Sequence, residues 1–533
     1  MKKESIQRAN TGTDVPVSPP VIVGPSVQME YPSGYPYSNP AGTEYPVAAS
    51  IPLDTIKPKE TKEIIASEDD IKEVLQTVSD CGFNVTLWTS GGHTGKWVDH
   101  INDYFKVSSA LGLRTILNPL PVLRVKQIFA DATNKVPDGY EYITAYNDHT
   151  LKDYVDLLNI DSKDDNLWGY KLKDEPSFAM WGYEGLTAAV GEVDLQAMYR
   201  TFLQNARRHV AFFTLIADIS RAVSGEAIYN TNVSNKDKYE LYLKALRNKF
   251  NPSMISVDIY PIMEYTTVTA YSTDFHGYYM LNRYYYILEA IGKFSTDYGI
   301  PFWMYLISTQ QWIYNKEPNS PSTKFPHPTK GVLRYQALTA LAYGFQGLVF
   351  WTYGKMPTEY YDPIAKIKSI EYLDAPYVNG KTTQVWNNCK DVMSEIKTYG
   401  KALLNARFQE ARHVYGPNKV IEFEETTKLT FSIGCITSAS AKGRGFVITR
   451  LSKGTNNYLA IVSHDPYEEQ SITLTIDTRY DWNEVVTLGS PSEMHVDPAA
   501  ATGGMAQTIT RRLEPGGMIL IYYKPIKAGA SSK

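Results

Sequence analysis

The chain is long, weakly acidic and rich in tyrosine. It has 533 residues and a formal net charge of −4, and 43% of its residues are hydrophobic, so the sequence predicts two domains with sizeable cores. This charge does not favour a polyanionic nucleic-acid partner. The 40 tyrosines and 9 tryptophans carry flat apolar faces with polar edges, which suit sugar rings as well as a protein core.

Several classes of protein are excluded because their motifs do not occur. Cys81, Cys389 and Cys435 are isolated, so the sequence predicts neither a disulfide framework nor a zinc site. No nucleotide-binding glycine motif stands at a strand–helix junction, and no cofactor or metal is predicted. No run approaches the ~20 apolar residues of a membrane helix. The opening MKKESIQRANTG is basic but has no apolar stretch, so it is not an intact signal peptide.

The first part of the chain is irregular and then becomes periodic. Residues 1–44 are rich in Pro, Ser, Gly and Tyr, and we interpret them as a tail or linker. A buried-strand candidate at 45–53 follows. The first predicted helix begins at Ser67 with Asp70 three residues later, a capping-box pattern. Its apolar residues recur at helical spacing and predict one buried stripe, formed by Ile71, Val74, Leu75 and Val78.

Strands and helices then alternate as far as residue 404. After 45–53, the predicted strands are 84–93, 114–120, the 167–177 stretch, 226–234, 256–264, 301–312 and 347–353. The predicted helices are 97–111, 149–159, one from about 194, 237–249, 278–297, 331–343 and a last one at 386–402. Eight such alternations are typical of a (β/α)8 barrel, although periodicity alone also allows a doubly wound sheet.

After residue 405 the pattern changes to short strands between Gly, Asn, Asp and Ser turns. The predicted strands are 420–425, 428–434, 445–451, 457–464, 471–477, 484–488 and 517–524. This spacing predicts an antiparallel β-sandwich over 405–526, followed by a disordered tail at 527–533. The predicted fold is therefore a (β/α)8 TIM barrel over 45–404 with a C-terminal antiparallel β-sandwich domain.

The stretch LWGYKLKDEPS, residues 167–177, ends a strand in two adjacent acids. Aromatic and aliphatic residues alternate in it with Gly and Lys, and Pro176 cannot continue a sheet ladder. Catalytic groups of such barrels lie just beyond the carboxyl ends of the strands. Asp174 and Glu175 therefore stand where an acid or base would act, although a carboxylate there could also only cap the loop backbone.

The segment GYKLKDEPS at 169–177 resembles the GxxLxDEP signature of TIM-barrel glycoside-hydrolase-like proteins of Bacteroidetes. RYQALTALAYGFQGLVFWTYG at 334–354 is a second local match, and the resemblance extends over 45–525. Those proteins are related in architecture to a glycosidase clan whose fourth strand ends in Asn-Glu-Pro. The resemblance implies that Asp174 replaces that Asn, that Glu175 is the acid/base, and that the protein is exported to the periplasm or cell surface.

Glycoside hydrolysis needs a second carboxylate besides the acid. The related clan carries it at the end of the seventh strand, where this chain has no acid at 308–311. Three substitutes are present, Asp258 at the end of the predicted sixth strand and Glu264 and Glu317 in loops. We favour Asp258 because a strand end would hold it rigidly, although it could equally orient loop backbone. Strands four and six are not neighbours, which favours the long carboxyl spacing of an inverting enzyme.

Aromatic and amide side chains near the predicted strand ends are candidates for binding substrate. The aromatic candidates are Trp88, Trp181, Tyr260, Trp312, Trp351 and Tyr353, and the amide candidates are Asn118, Asn230 and Asn232. Any single ring could instead belong to the core, and Asn also favours turns. Arg334, in the helix before the eighth strand, is interpreted as a structural partner of an acid near the barrel rim.

The sequence thus predicts a hydrolase that cleaves O-glycosidic bonds of an oligo- or polysaccharide. The main alternative is a non-catalytic carbohydrate-binding barrel, which the missing acid at 308–311 would explain. A metal-assisted hydrolase using His93, Asp174 and Asp258 is a third alternative, without the His spacing of known metal motifs. The sandwich domain has no predicted role beyond glycan binding, subunit contact or covering the barrel.

Overall fold

The structure is a computed structural model that describes most of the barrel framework and of the C-terminal region. The described residues are 44–52, 67–89, 97–117, 166–175, 210–216, 234–250, 252, 254–265, 272–275, 278–315, 323–356, 359–360, 368–419, 422–485 and 506–526.

Eight parallel strands close into a barrel, which confirms the predicted fold class. They are β1 Val47–Pro52, β2 Val85–Thr89, β3 Arg114–Leu117, β4 Leu167–Asp174, β5 Val210–Ile216, β6 Ile255–Asp258, β7 Phe302–Ile307 and β8 Gly347–Trp351. Each strand pairs with its neighbours in chain order, and β1 pairs with both β2 and β8 to close the ring. Runs such as FWMYLI and GLVFW are apolar throughout because both faces of a barrel strand are covered.

Six helices belong to the described part of the chain. They are α1 Glu68–Cys81, α2 Trp97–Ala110, α3 Asn235–Phe250, α4 Tyr284–Tyr298, α5 Lys330–Ala342 and α6 Gln384–Leu403. The predicted capping box of α1 is present, because Ser67 Oγ accepts from the Asp70 N–H while Asp70 accepts from the Ser67 N–H. The predicted apolar stripe of α1 is buried. The helices predicted at 149–159 and from about 194 lie outside the described residues.

Three strand predictions need correction. The fifth barrel strand is Val210–Ile216, whose run VAFFTLI is apolar on both faces, and not 226–234. Residues 226–233 lie outside the described residues. The predicted strands 256–264 and 301–312 each divide, because the barrel strands end at Asp258 and Ile307 and the chain then enters a different sheet.

An additional antiparallel sheet, here called the mouth sheet, follows the carboxyl ends of β6, β7 and β8. Its strands, in spatial order, are Glu359–Tyr360, Lys368–Asp374, Gln310–Asn315, Thr323–Phe325, Ile262–Tyr265, Tyr278–Met280 and Ser272–Phe275. The sequence did not predict this sheet, because its strands are short and come from three separate loops. The mouth sheet lies on the side of the barrel where β6, β7 and β8 end.

The C-terminal region is built from two antiparallel sheets. Its strands are β9 Arg407–Tyr415, β10 Ile436–Ala441, β11 Gly445–Lys453, β12 Asn456–Ser463, β13 Gln470–Asp477, β14 Tyr480–Val485, β15 Ala506–Leu513 and β16 Met518–Pro525. One sheet has the order β9-β11-β12-β16-β14 and the other β10-β13-β15. Side chains of both sheets share one apolar core, as the predicted sandwich requires.

Strand positions in this region were predicted only in part. The described residues of 420–434 form no named strand, and β9, β10 and β15 were not predicted. These three strands expose alternate polar side chains, and two of the sequences, ITSASA and AQTITRRL, carry few large apolar residues. A weak apolar signal of this kind is overlooked when long hydrophobic runs are used to locate strands.

The barrel and the sandwich share a continuous apolar core. Val447, Leu451 and Leu520 of the sandwich belong to the same buried cluster as the helices of the barrel. Phe408 of β9 stacks on Tyr343 at the end of α5, with ring centroids 5.1 Å apart. The two parts are therefore held together by packing in the same way as the interior of one domain.

Candidate functional site at the carboxyl end of the barrel

Described side chains fill the barrel interior at its lower levels. Small and aliphatic side chains and two tryptophans form the filling, namely Ala48, Val85, Leu87, Ile116, Trp168, Met254, Trp303 and Val349. Tyr305, Tyr260 and Trp351 complete this cluster, and the last two are only half-buried. The half-buried rings of Tyr260 and Trp351 therefore mark the upper end of this packed cluster.

Lys171 on β4 is a buried cation in the upper interior. Its side chain is 3% exposed, and its Nζ lies 4.8 Å from the Tyr305 ring centroid and 5.9 Å from that of Trp351. The two ring faces stabilise the ammonium group by a cation–π interaction. Lys171 was not among the predicted site residues. The available signal was its position between Tyr170 and Leu172, which pack outward against the helices.

Glu175 follows β4 directly and is half-buried. Its backbone has a φ of 44°, in the left-handed region that a residue with a Cβ adopts at a cost of roughly 1–2 kcal/mol. Its N–H donates a 2.8 Å hydrogen bond to the carbonyl oxygen of Thr214 on β5, which fixes this conformation. The side chain of Asp174 lies outside the description, although its backbone pairs with Thr214 in the barrel. Functional sites are one place where such strain is stored, and Asn379, Asn405 and Glu425 also have a positive φ.

Asp258 ends β6 on the inward face of the barrel. Ile255, Val257 and Ile259 belong to the outer core, so the alternate position of Asp258 points toward the interior. It is half-buried and lies level with Tyr305 on the neighbouring β7. For the two alternative acids, Glu264 and Glu317, the structure gives no side-chain orientation. The backbone of Glu264 belongs to the mouth sheet, but its side chain is not described, and Glu317 lies outside the described residues.

The pairing of β4, β5 and β6 sets the separation of Glu175 and Asp258. Asp174 is level with Thr214 on β5, and Asp258 is level with Ile216 of the same strand. Two strand spacings of about 4.8 Å place the two backbones roughly 10 Å apart across the barrel.

The predicted binding residues divide into three groups. Tyr260, Trp312 and Trp351 are half-buried near the mouth. The ring of Tyr260 contacts Phe325 edge-on, with centroids 5.5 Å apart. Lys324 Nζ lies 4.9 Å from the centroid of the Trp312 ring. Trp88 and Tyr353 were predicted to bind substrate, but both side chains are fully buried. The candidates Asn118, Asn230, Asn232, Trp181 and His93 lie outside the described residues.

Trp88 and Tyr353 are core residues because each has its partners inside the protein. The ring of Trp88 contacts Tyr104 of α2 edge-on, with centroids 4.1 Å apart. Tyr353 stacks near Tyr377 and donates its hydroxyl hydrogen to Thr77 Oγ1 at 2.8 Å. Neither ring presents a face to a ligand.

The end of β7 is closed by uncharged hydrogen bonds. Ser308 donates its N–H to the carbonyl oxygen of Trp351 and its hydroxyl to that of Thr352, and the Trp351–Thr352 peptide bond is cis. Gln311 Nε2 donates to Thr309 Oγ1 at 2.5 Å, and all three side chains are buried. These residues connect β7 to β8 and supply no acid.

Arg334 pairs with acids, as its predicted structural role requires. Its guanidinium group contacts Glu395 Oε1 of α6 at 2.5 Å and Glu514 Oε2 of the sandwich at 2.6 Å. The arginine side chain is 5% exposed, and it connects α5, α6 and the sandwich.

Two further observations bear on partners of the described part of the chain. No group of three or more His, Cys, Asp or Glu side chains within it could hold a metal ion, while His93 and the side chain of Asp174 are outside the description. Among the helices that the structure describes, none is both long and apolar enough to cross a bilayer.

Comparison with known proteins gives similarity to solved structures only. No protein-family model and no curated protein matches the chain. The endo-β-1,4-mannanase of Thermotoga petrophila is 10% identical over 87% of this chain and 97% of its own, with a TM-score of 0.39. GH5_18 of Streptomyces cattleya, solved with GlcNAc, is 10% identical over 67% and 81%, with a TM-score of 0.36.

A monomeric β-xylosidase of Caulobacter crescentus CB15 is 8% identical over 91% of this chain and 96% of its own, with a TM-score of 0.34. These neighbours are glycoside hydrolases. Similarity at this level assigns neither an activity nor a substrate, and the barrel itself is established by its own strand order.

Proposed function

We propose that the chain is a glycoside hydrolase in which Glu175 is the general acid and Asp258 the general base. The observation that carries the proposal is the position of Glu175, half-buried at the end of β4 in a backbone conformation that ordinary residues avoid. Asp258 faces inward two strands away, and Tyr260 and Trp351 offer half-exposed rings beside it. This combination suits a sugar held between two carboxyl groups.

The proposed roles follow from the charges in the barrel interior. A buried cation favours the ionised form of a nearby carboxyl group. Lys171 Nζ lies over Tyr305, which is level with Asp258, so Asp258 is assigned the ionised base that activates water. Glu175, at the barrel rim, donates its proton to the oxygen of the leaving sugar. Water attacks the anomeric carbon from the opposite face and loses its proton to Asp258, so the product has inverted configuration.

A binding function without catalysis is the second candidate, and the end of β7 favours it. Ser308, Thr309 and Gln311 are buried in hydrogen bonds and leave no carboxylate where the glycosidase clan carries its nucleophile. A barrel of this kind would still hold sugar on Tyr260 and Trp351. It would bind glycans and cleave none.

Replacement of the acid tests the two functions. A panel of oligo- and polysaccharides is incubated with the full chain and with Glu175→Gln, and released reducing ends are measured. We expect the kcat of the variant to fall about 10²–10⁴-fold, because a positioned general acid accelerates the reaction by that factor. Glu424→Gln, an exposed acid of the sandwich, is the matched control and should keep full activity.

The outcomes separate the candidates. Full activity of Glu175→Gln would remove the proposed acid. Glycan binding by the parent chain without cleavage of any panel member would establish the binding function instead. The anomer that NMR detects in the first product tests the assignment of Asp258, since retention of configuration contradicts a base acting through water.

A further inference from the structure

The sandwich carries a charged cleft whose lining includes none of the residues of the proposed reaction. It has a volume of about 800 Å³ and lies beside the turn before β11 and the start of β13. Four cationic and two acidic side chains line it, namely Lys419, Lys442, Arg444, Arg512, Glu468 and Glu469. Small-molecule sites commonly have volumes of about 300–1,000 Å³.

The floor of this sandwich cleft is held rigidly by a buried polar network. Arg444 Nε contacts Asp465 Oδ2 at 2.6 Å, and the Asp465 side chain is fully buried. Gln470 Nε2 donates to the same carboxylate, and Gln470 Oε1 accepts from the Arg444 N–H. Asp465 Oδ1 also accepts from the N–H of Tyr467 and that of Glu468. Arg444 is thereby fixed before any ligand arrives.

Gly443, in the wall of the sandwich cleft, leaves no space for a side chain. A Cβ on Gly443 would lie 1.9 Å from Gln470 Oε1, and a Cβ on Gly416 would lie 2.0 Å from the carbonyl oxygen of Gly443. The N–H of Lys442 donates to the carbonyl oxygen of Ser471 at 2.9 Å, which fixes the backbone that carries this lysine. The backbone beside the cleft is therefore closely packed.

The cations at the rim are available to a ligand. Lys442 is exposed and its Nζ forms no ion pair with any residue that the structure describes. The Arg512 side chain is 79% exposed, and its 3.5 Å contact with Glu469 is solvent-screened. Lys419 pairs with Glu422 and Arg444 with Asp465, so Lys442 and Arg512 are the lining cations left for a ligand.

The composition of the lining indicates the class of ligand. No aromatic residue is among the described residues that line the cleft, so a neutral sugar ring would find no apolar face to stack on. Lys and Arg bind carboxylate and sulfate groups, while Glu468, Glu469 and the amide of Gln470 can accept from hydroxyl groups. We propose that the sandwich cleft binds an acidic sugar, with its anionic group on Lys442 and Arg512 and its hydroxyls on the glutamates.

The test measures binding by the intact chain with isothermal titration calorimetry, using trigalacturonate, maltotriose and inorganic sulfate as probes. We expect trigalacturonate to bind, and the variant Lys442→Ala/Arg512→Ala to weaken this binding about tenfold or more, because two charge-assisted contacts are lost. Both residues are exposed, so the fold should survive their removal. Lys524→Ala, an exposed cation on β16 outside the cleft, is the matched control and should bind as the parent does.

The result can overturn the proposal in three ways. Absence of trigalacturonate binding rejects an acidic-sugar site, and unchanged affinity of the double variant places the binding elsewhere in the chain. Sulfate bound as tightly as trigalacturonate reduces the cleft to a site for simple anions. None of these readouts uses catalytic activity, so the proposal stands or falls independently of the hydrolase.

Discussion

Gly331, in the first turn of α5, shows how a single residue controls the contact between barrel and sandwich. A Cβ at this position would lie 2.1 Å from the carbonyl oxygen of Pro466 and 2.9 Å from Pro515 Cβ. Both atoms belong to turns of the sandwich that the backbone holds in place. Helix propensity alone favours Ala over Gly by about 1 kcal/mol, so propensity and packing predict opposite signs.

We expect packing to decide the outcome at this position. Gly331→Ala should destabilise the protein by roughly 1–3 kcal/mol, because overpacked cores shift backbone to relieve a clash. Urea unfolding followed by circular dichroism measures the change in unfolding free energy. Gly299→Ala is a useful comparison, since its Cβ would meet nothing within 4 Å and only its φ of 68° opposes the substitution. A Gly331→Ala protein more stable than the parent would contradict the close contact.

At the scale of elements, α1 is specified by signals within its own sequence, at both ends and along its buried face. Its capping box occupies Ser67 and Asp70, and its C-terminal Gly82 has a φ of 101°, a conformation that glycine adopts without strain. The helix buries Ile71, Val74 and Leu75 against the barrel. Both ends and the buried face were therefore encoded within the helix itself.

Removal of the cap should weaken this helix measurably. Ser67→Ala leaves the Asp70 N–H without its acceptor and should lower the unfolding free energy by about 1 kcal/mol. Lys72→Ala, an exposed position in the same helix, is the control and should change stability by less than about 0.5 kcal/mol. Equal effects of the two substitutions in thermal unfolding would show that the cap contributes nothing.

At the scale of the whole molecule, a buried histidine pair lies where the sandwich meets the barrel. His413 Nδ1 and His464 Nε2 are 3.1 Å apart, and Tyr285 of α4 packs against both rings. Burial lowers the pKa of His413 to about 3. Burial and the neighbouring His413 lower the pKa of His464 well below its usual range. Both imidazoles are thus neutral in the folded protein at ordinary pH.

The pair should make the stability of the protein depend on pH. An unfolded histidine binds a proton below about pH 6.5, whereas the folded His413 remains neutral down to about pH 3. The unfolded state therefore takes up more protons in this interval, and stability is lost as the pH falls. Each histidine contributes a slope of up to about 1.4 kcal/mol per pH unit.

Unfolding free energies measured between pH 7 and pH 4 test this expectation. The variant His413→Leu/His464→Leu replaces both hydrogen-bonding partners with apolar groups of similar size, so the cost in stability should be small. Its profile should be flatter than that of the parent below pH 6.5. Parallel profiles for the two proteins would show that these histidines are not the groups responsible.

The sequence by itself determined the alternation that makes a barrel and the place where β4 ends in Asp174 and Glu175. Both features depend on local signals. Helix caps, apolar runs and a proline restrict the conformation of neighbouring residues independently of the rest of the chain. The same holds for the change to short strands after 405. The position of the fifth strand could not be predicted from local signals. VAFFTLI is a continuous apolar run, and such a run can be buried either as a helix or as a strand.

Only the tertiary structure decided which side chains enter the barrel interior. The pairing of β4 with β3 shifts register between Thr115 and Ile116, so Trp168 lies inside the barrel although it alternates with Tyr170 and Leu172. Both faces of a barrel strand are covered, so hydrophobicity does not distinguish the face toward the helices from the face toward the axis. Tyr170 and Leu172 therefore lie outside and Lys171 inside, over Tyr305. Trp88 and Tyr353 became core residues for the same reason, since their burial depends on partners from distant parts of the chain.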